Sequence, residues 1–274
     1  MINNEKFKTI GIIGNPLRQS LSPYLHNYWI NKYKINSYYV PLPIKKVNNL
    51  NKALKALNFL GLNVTIPFKK EIIKELDVID SSAKEINAVN TLVFKNNKIK
   101  GYNTDIVGFR EGLKNNAWDK NKPVYLFGAG GAADAILQYL KKEKIKNITI
   151  INRTKSRAKA ISKKYENINF STRLDNKIKE AGLIINSTSL GMIGYPDLKI
   201  DLKGINKKAI VYDIVYNPIN TKLILEAKKQ KLTTVTGLEM FIEQARASFK
   251  IWFNINPQID NKLILEIKRK IKKT

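Results

Sequence analysis

A lysine and two polar residues stand at the predicted end of a buried strand in the segment Asn63–Lys69, which reads NVTIPFK. The apolar alternation over Leu62–Ile66 predicts that strand, and Pro67, a residue favoured in the first turn of a helix, ends it. Asn63 and Thr65 alternate with the apolar positions, so both side chains face one side of the strand. Open α/β sheets bind ligands where their strands end, and a lysine held there can donate a proton. Taken alone, this pattern indicates a strand followed by a solvated basic helix more than it indicates a ligand site.

A glycine-rich turn follows a second apolar strand, where Val124–Phe127 leads into Gly128–Ala133, which reads GAGGAA. Strand, glycine turn and helix in this order are the fingerprint of a dinucleotide pyrophosphate site, in which the helix N-terminus supplies N–H donors. An NAD site carries an acidic residue about 20 positions further on. Here that region has Arg153 and Arg157 instead, and two arginines can grip a 2′-phosphate. The pair favours NADP(H) over the alternative of two ordinary surface charges.

Three more segments carry polar side chains between apolar strands, namely Gly14–Asn27, Ala88–Leu92 and Gly101–Asp105. In this order and spacing, and together with the two segments above, they make the chain resemble the shikimate dehydrogenase family from about Ile10 to Trp252. Each motif is weakly specific alone, whereas the ordered set is highly specific. The resemblance implies an oxidoreductase that reduces 3-dehydroshikimate to shikimate with NADPH, in chorismate and aromatic amino-acid biosynthesis.

The resemblance also assigns a catalytic pair and a substrate site. Hydride transfer turns the ketone into an alkoxide, to which Lys69 would give a proton while Asp105 orients the lysine and the hydroxyl. The shikimate carboxylate and ring hydroxyls would be held by Ser20, Ser22, Asn63, Thr65, Lys69, Asn90, Asp105, Tyr216 and Gln244. Ser22 and Asp105 also fit simpler roles as helix caps, and Gln244 fits that of an exposed helical residue.

The cofactor site implied by the resemblance lies at strand ends of the second domain. Its residues would be Gly128, Ala129, Gly130, Gly131, Ala132, Asn152, Arg153, Thr154, Arg157, Thr188, Ile214 and Gly237. Two positions depart from the family pattern, since Asp134 stands where a basic or small residue is usual and Ile106 where glycine is common. We expect the Asp134 carboxylate to face away from the pyrophosphate. His26 is expected to be a structural hydrogen-bonding residue, and no metal site is expected with one histidine and no cysteine.

Short apolar strands alternate with helical patterns along the chain, which predicts an α/β fold with mostly parallel sheets. The first part has predicted strands near Thr9–Ile13, Ser37–Leu42, Gly61–Ile66 and Val89–Phe94, helices near Pro23–Tyr33 and Val47–Leu57, and a turn at Asn96-Asn97. After the polar stretch Asp119–Pro123, further strands are predicted at Val124–Phe127, Ile148–Ile151, Leu183–Asn186 and Ile210–Asp213. Leu238–Lys273 reads as two helices.

Two domains are expected from this organisation and from the resemblance. An α/β substrate domain with a mostly parallel sheet would comprise residues 1–105 plus 239–274. A Rossmann-like NADP-binding domain would comprise residues 106–238. The family implies that the ligands lie in the cleft between the domains and that closure brings the nicotinamide to the substrate ring.

Composition excludes several classes of protein. The 274 residues are 43% hydrophobic, enough for globular cores, and the absence of cysteine excludes disulfides and thiol catalysis. The net charge of +27 is spread from end to end rather than clustered, which argues against a nucleic-acid partner and favours anionic small molecules. With no apolar run near the roughly 20 residues of a membrane span and no signal-peptide pattern, we expect no membrane partner and a cytoplasmic location. A homodimer is left open.

Three alternative functions make different demands on the sequence. A quinate/shikimate paralogue that uses NAD predicts an acidic residue near Asn152, where none stands. A catalytically silent ligand-binding protein on the same fold predicts loss of Lys69 or Asp105, and both are present. An RNA-binding protein predicts clustered basic residues, whereas those of this chain are scattered.

Overall fold

Two six-stranded sheets organise the chain in a computed structural model that describes residues 7–165 and 168–273, without the side chains of Lys55 and Lys273. One sheet belongs to a unit formed by Met1–Thr104 with Gln244–Thr274, and the other to a unit formed by Asp105–Glu243. Each unit has its own hydrophobic core. No helix in the described ranges combines the length and apolar character needed to cross a bilayer.

The first unit contains a mixed sheet in the order β2-β1-β3-β5-β6-β4. Its strands are β1 Lys8–Gly14, β2 Ser37–Pro43, β3 Phe59–Val64, β4 Val78–Ile79, β5 Thr91–Lys95 and β6 Lys98–Tyr102. Strands β1, β2 and β3 run parallel, β5 is antiparallel to β3 and β6, and β4 is parallel to β6. The helices are α1 Ser22–Lys32, α2 Leu50–Ala56 and α3 Ser81–Lys84, with a 3-10 helix at Glu71–Glu75.

The second unit is a parallel sheet in the order β12-β11-β10-β7-β8-β9. Its strands are β7 Val124–Phe127, β8 Ile148–Ile151, β9 Ile168–Ser171, β10 Leu183–Asn186, β11 Ile210–Asp213 and β12 Thr233–Val235. Its helices are α4 Asp105–Leu113, α5 Gly131–Lys142, α6 Lys155–Ser162 and α7 Lys222–Lys229, with a 3-10 helix at Asn176–Glu180. This doubly wound order reverses between β7 and β10, which is where such sheets bind ligands.

Two helices close the chain, α8 Gly237–Phe253 and α9 Asn261–Lys273, and the boundary between the units falls inside α8. The α/β class, the mostly parallel sheets and the two closing helices are confirmed. The four predicted strands of the second unit have the observed bounds, because each is a short apolar run, and three of the four are buried at every residue. The Asn96-Asn97 turn is also confirmed, with φ of 51° and 59° at its two residues, as a two-residue hairpin requires.

Local predictions near the motifs need correction at three places. Strand β5 begins at Thr91 rather than at Val89. Strand β3 ends at Val64, and Ile66, predicted as its last buried residue, is 71% exposed. The Ile66 carbonyl accepts a hydrogen bond from the Asn15 N–H at 3.0 Å, so the chain has left the sheet there. Ser22 is not the N-cap of α1, because Leu21 occupies that position and no side chain caps it.

Candidate active site

Lys69 lies in a turn between β3 and the following 3-10 helix. The Thr65 N–H donates to the Ile13 carbonyl at 2.9 Å, and the Val89 N–H donates to the Lys69 carbonyl at 2.8 Å. These bonds hold the turn against two neighbouring segments of the first unit. Lys69 is half-buried, while the adjacent Lys70 is exposed, so the two lysines occupy different environments.

A close approach in the same region requires a glycine. A Cβ added at Gly14, the last residue of β1, would lie 2.4 Å from the Thr65 methyl group. Only a residue without a side chain therefore allows the end of β1 to pack against the Thr65 turn. The motif glycine thus has a packing role in placing Thr65.

Asn63 is at the centre of a buried polar network in the first unit. Its amide nitrogen donates to the Asn90 carbonyl and to the hydroxyls of Thr91 and Ser248, each at 3.1 Å. Its amide oxygen accepts from the Tyr39 hydroxyl at 2.8 Å. The Asn63 side chain is therefore held in one orientation by four partners.

The Tyr39 phenol is a buried member of this network. Burial raises the pKa of Tyr39 well above its ordinary value, and Ser22 opposes part of that increase. The phenol therefore keeps its proton and donates it to Asn63. Ser22 is itself buried and its N–H donates weakly to the Ser20 hydroxyl at 3.4 Å.

Asn90 connects the same network to the residue that precedes Asp105. The Asn90 amide oxygen accepts from the Thr104 N–H at 2.8 Å and from the Thr91 hydroxyl at 3.0 Å. Asp105 follows directly, is buried, and is the first residue of α4. Asp105 therefore lies in the first turn of α4, one position after the residue that would cap the helix.

Ser248 connects the network to the closing helix α8. Its hydroxyl lies 2.8 Å from that of Thr91 and donates to the Gln244 carbonyl at 3.1 Å. Gln244 is half-buried rather than exposed. No role was predicted from the sequence for Tyr39, Thr91, Thr104 or Ser248. Thr91 and Thr104 stand inside two of the motif segments, whereas Tyr39 and Ser248 lie in a strand and a helix with no local chemical signal.

The glycine turn after β7 lies at the point where the strand order of the second unit reverses. Gly128 has φ of +109°, and a Cβ there would lie 2.6 Å from the Ser187 hydroxyl at the end of β10. Added Cβ atoms at Gly130 and Gly131 would meet no atom within 4 Å. The start of α5 therefore has open space beside its free N–H groups, an arrangement that fits a pyrophosphate.

The arginines predicted to select NADP(H) follow β8. The Asn152 N–H donates to the Ser171 carbonyl at 3.1 Å and its amide donates to the Thr154 carbonyl at 2.9 Å, which shapes the turn. Arg153 and Arg157 are both exposed, and neither has an acidic partner in the described part of the chain. Their guanidinium groups are available to an anionic ligand at the end of this strand.

Both departures from the family pattern are accommodated inside the second unit. The Asp134 carboxylate is 1% exposed and pairs with the Lys164 ammonium at 3.0 Å, so its charge is compensated at the far end of α6. Ile106 packs against the hydrophobic core of the unit. Neither substitution places a charge in the glycine turn.

The remaining predicted residues of the second unit lie on the loops after β10 and β11. The Thr188 N–H and hydroxyl donate to the Asn186 amide oxygen, and the Ile214 N–H donates to the Asn186 carbonyl at 3.1 Å. A Cβ at Gly237 would lie 2.2 Å from the Ile214 carbonyl oxygen, so this position requires glycine. Tyr216 stacks on Phe241, with ring centroids 4.5 Å apart.

His26 has a different structural role from the one expected. It is fully buried and stacks on Tyr39, with ring centroids 4.4 Å apart. Neither ring nitrogen has a hydrogen-bond partner among the residues that the structure describes. Burial lowers the pKa of His26 to about 3. The imidazole is therefore a neutral member of an aromatic cluster.

Asp213 and His26 make opposite contributions to the pH dependence of stability. Burial raises the pKa of Asp213 to about 6. Between about pH 4 and 6 the Asp213 carboxyl is therefore ionised in the unfolded chain but still protonated in the folded protein. The unfolding free energy consequently falls as pH rises through this range. Below about pH 6.5, His26 binds a proton in the unfolded chain but stays neutral in the folded protein. The contribution of His26 to the unfolding free energy therefore falls as pH falls.

Asp213→Asn is expected to remove only the first of these contributions. From pH 4 to 6.5 the unfolding free energy of the variant should gain about 2 kcal/mol relative to that of the unmutated protein. Urea denaturation of both proteins across this range measures the difference. Parallel pH profiles would show that Asp213 titrates at its ordinary pKa in the folded protein.

Comparison with known proteins gives a consistent result over the whole chain. Residues 12–92 match the family profile described as "Shikimate dehydrogenase substrate binding domain", residues 113–238 match "Shikimate / quinate 5-dehydrogenase", and residues 237–261 match "Shikimate 5'-dehydrogenase C-terminal domain". A relative from Pelagibacter ubique, named shikimate dehydrogenase (NADP(+)), is 40% identical over 263 residues, which cover 94% of this chain and 97% of the relative.

Solved structures agree with the sequence relatives. A crystal structure of a shikimate dehydrogenase in complex with NADP⁺ has a TM-score of 0.87 and 38% identity, and the match covers 100% of this chain and 97% of that one. A shikimate 5-dehydrogenase from Thermus thermophilus, in complex with NADP(H) and shikimate, has a TM-score of 0.84 and 28% identity, covering 96% and 99% of the two chains.

Proposed function

The chain belongs to the shikimate dehydrogenase family, and we propose that it catalyses the reversible NADPH-dependent reduction of 3-dehydroshikimate to shikimate. It is an oxidoreductase, as the relatives named shikimate dehydrogenase (NADP(+)) indicate, and this activity places it in chorismate and aromatic amino-acid biosynthesis. Its cofactor is NADP(H), the cofactor in two of the similar structures.

The buried network around Asn63 carries the assignment of the substrate site. It joins Asn63 and Asn90, which come from two separated motifs, to Ser248 of the closing helix in the first unit. Polar groups that are buried and mutually hydrogen-bonded keep fixed orientations, which a site for several ring hydroxyls requires. We therefore assign substrate binding to the first unit and cofactor binding to the second.

Lys69 and Asp105 carry the proton chemistry in this proposal. NADP(H), when bound, supplies or accepts the hydride. In the reductive direction the Lys69 ammonium gives a proton to the carbonyl oxygen as that oxygen becomes an alcohol, and its positive charge stabilises the developing negative charge. Asp105 orients the ammonium and the reacting hydroxyl. In the oxidative direction the neutral lysine takes the hydroxyl proton back.

The cofactor is held in this proposal by three sets of residues in the second unit. Gly128, Gly130 and Gly131 leave room for the pyrophosphate at the start of α5. Arg153 and Arg157 bind the 2′-phosphate, and the loops carrying Thr188 and Ile214 receive the nicotinamide half. A cytoplasmic location and a homodimer stay predictions of the sequence analysis.

One assay tests the proposed function directly. The purified protein is mixed with shikimate or quinate and with NADP⁺ or NAD⁺, and formation of the reduced nicotinamide is followed by absorbance. We expect the pair of shikimate and NADP⁺ to give the highest kcat/KM of the four combinations. A higher kcat/KM with quinate and NAD⁺ would favour the alternative of a quinate/shikimate paralogue that uses NAD. If no pair gives reduced nicotinamide, the proposed activity is refuted.

The charge of +27 gives a second expectation about partners. Because the basic residues are scattered, binding to duplex DNA or RNA should be weak, independent of sequence and lost as salt rises. Fluorescence anisotropy with labelled duplexes over a salt series that includes physiological ionic strength measures this. A saturable, sequence-selective complex at physiological salt would contradict the small-molecule assignment.

A further inference from the structure

A buried carboxylate with no cationic partner lies at the end of β11. Asp213 is 0% exposed, and its oxygens accept from the Asn186 amide at 2.9 Å, the Val215 N–H at 3.0 Å and the Thr221 hydroxyl at 2.7 Å. No charged side chain of the described residues contributes to its environment. A buried carboxylate held only by neutral donors is costly for the fold. Such a cost at one position suggests a local function.

The hydrogen bonds of this carboxylate reach three segments of the second unit. Asn186, at the end of β10, accepts from the Thr188 N–H at 3.0 Å and the Thr188 hydroxyl at 2.7 Å, and donates to the Leu190 carbonyl at 2.9 Å. Thr221 also accepts from the Ile224 N–H at 3.3 Å and so caps α7. The loop after β10, the loop after β11 and the start of α7 are therefore held to one another through Asp213.

The position of these loops in the sheet indicates which half of the dinucleotide they serve. A doubly wound sheet binds one mononucleotide on each side of the point where the strand order reverses. Here that point lies between β7 and β10, at the turn of Gly128. Arg153, at the end of β8, marks the adenosine side. Strands β10 and β11 lie on the opposite side, which is that of the nicotinamide.

We propose that Asp213 and Thr221 are positioning residues that hold the loops of Thr188 and Ile214 in the geometry needed for hydride transfer. This inference rests on the proposed function, since it concerns how the second unit holds the nicotinamide half of NADP(H). Neither residue is assigned a contact with the cofactor. Their effect passes through Asn186 and through the backbone of the two loops.

Thr221→Val is the most selective test of this role, because it removes the hydroxyl and keeps the shape of the side chain. Misplacing a reacting group by about 1 Å costs about 10²-fold in rate. We therefore expect the single-turnover rate of hydride transfer from NADPH to 3-dehydroshikimate to fall by about tenfold or more. Thr221→Ser keeps the hydroxyl and should recover most of that rate. Asp213→Asn places an NH₂ donor where Thr221 needs an acceptor. Its hydride-transfer rate should therefore also be lower, as in Thr221→Val.

Two binding measurements separate positioning from general damage. NADPH and adenosine 2′,5′-bisphosphate share the adenosine half, and only NADPH has the nicotinamide. In Thr221→Val the Kd for NADPH should rise while the Kd for the bisphosphate stays unchanged. Tyr125→Phe is the matched control, since it removes a hydroxyl–carboxylate bond of 2.9 Å to Asp175 elsewhere in the same unit. It should lower the Tm and leave both dissociation constants and the hydride-transfer rate unchanged.

Three outcomes would overturn the inference. They are a Thr221→Val enzyme with an unchanged hydride-transfer rate, equal weakening of NADPH and the bisphosphate, and a Tyr125→Phe enzyme as slow as Thr221→Val. Failure of the proposed function is seen separately, because the unmutated protein would then not oxidise NADPH with 3-dehydroshikimate. The ratio of the two dissociation constants still tests the role of Thr221 in that case.

Discussion

Lys69→Ala is expected to lower kcat by roughly 10²–10⁴-fold, the usual contribution of a general acid–base group, while the shikimate KM changes much less. In the proposed mechanism, the substitution removes the proton donor and the cation that faces the forming alkoxide. The predicted partners of the carboxylate and ring hydroxyls are kept, because the buried network holds Asn63 and Asn90. A loss in kcat with little change in KM indicates an interaction made mainly in the transition state.

Lys70→Ala is the matched control for this experiment. It removes the same charge from the next residue of the same turn, but Lys70 is exposed and Lys69 is half-buried. The control should keep near-normal kcat. Steady-state kinetics from about pH 6 to 9 compare the two variants with the unmutated enzyme. Near-normal kcat of Lys69→Ala over that range would show that water or another group carries the proton, and the assignment would be abandoned.

Arg153→Ala is expected to raise the KM for NADP⁺ strongly while that for shikimate stays nearly unchanged. Loss of a desolvated arginine–phosphate contact costs on the order of 2–5 kcal/mol. Because Arg153 is exposed, we expect an effect near the lower end of this range. The KM for NAD⁺, which lacks the 2′-phosphate, should not rise, so the preference for NADP⁺ should fall.

Arg269→Ala serves as the control for the general charge of the protein. Arg269 is an exposed residue of α9 in the first unit, and its removal changes the net charge equally. Kinetics with both cofactors at fixed ionic strength separate local binding from long-range attraction. Equal use of NAD⁺ and NADP⁺ by the unmutated enzyme would refute the assignment of Arg153, as would the same rise in KM in both variants.

The accuracy of the sequence-based prediction differs between the two units for a physical reason. Strands β7, β8, β10 and β11 were predicted at their observed bounds, because strands covered on both faces must be short apolar runs between polar segments. The end of β3 was predicted two residues too late. Apolar alternation continues to Ile66, but alternation does not report where backbone hydrogen bonds leave the sheet. At that point the Ile66 carbonyl accepts a hydrogen bond from the Asn15 N–H instead of from a neighbouring strand.

The sequence by itself determined the fold class, the family and the NADP(H) preference, since these depend on ordered motifs and on residue types at strand ends. Only the tertiary structure decided which polar groups are buried and what satisfies them. Ser248 and Asn63, which are 185 positions apart in the sequence, form a hydrogen bond. The Asp213 carboxylate accepts hydrogen bonds from Asn186 and Thr221. The free energy of a buried polar group depends on the partners that distant segments bring to it, and no local pattern records those partners.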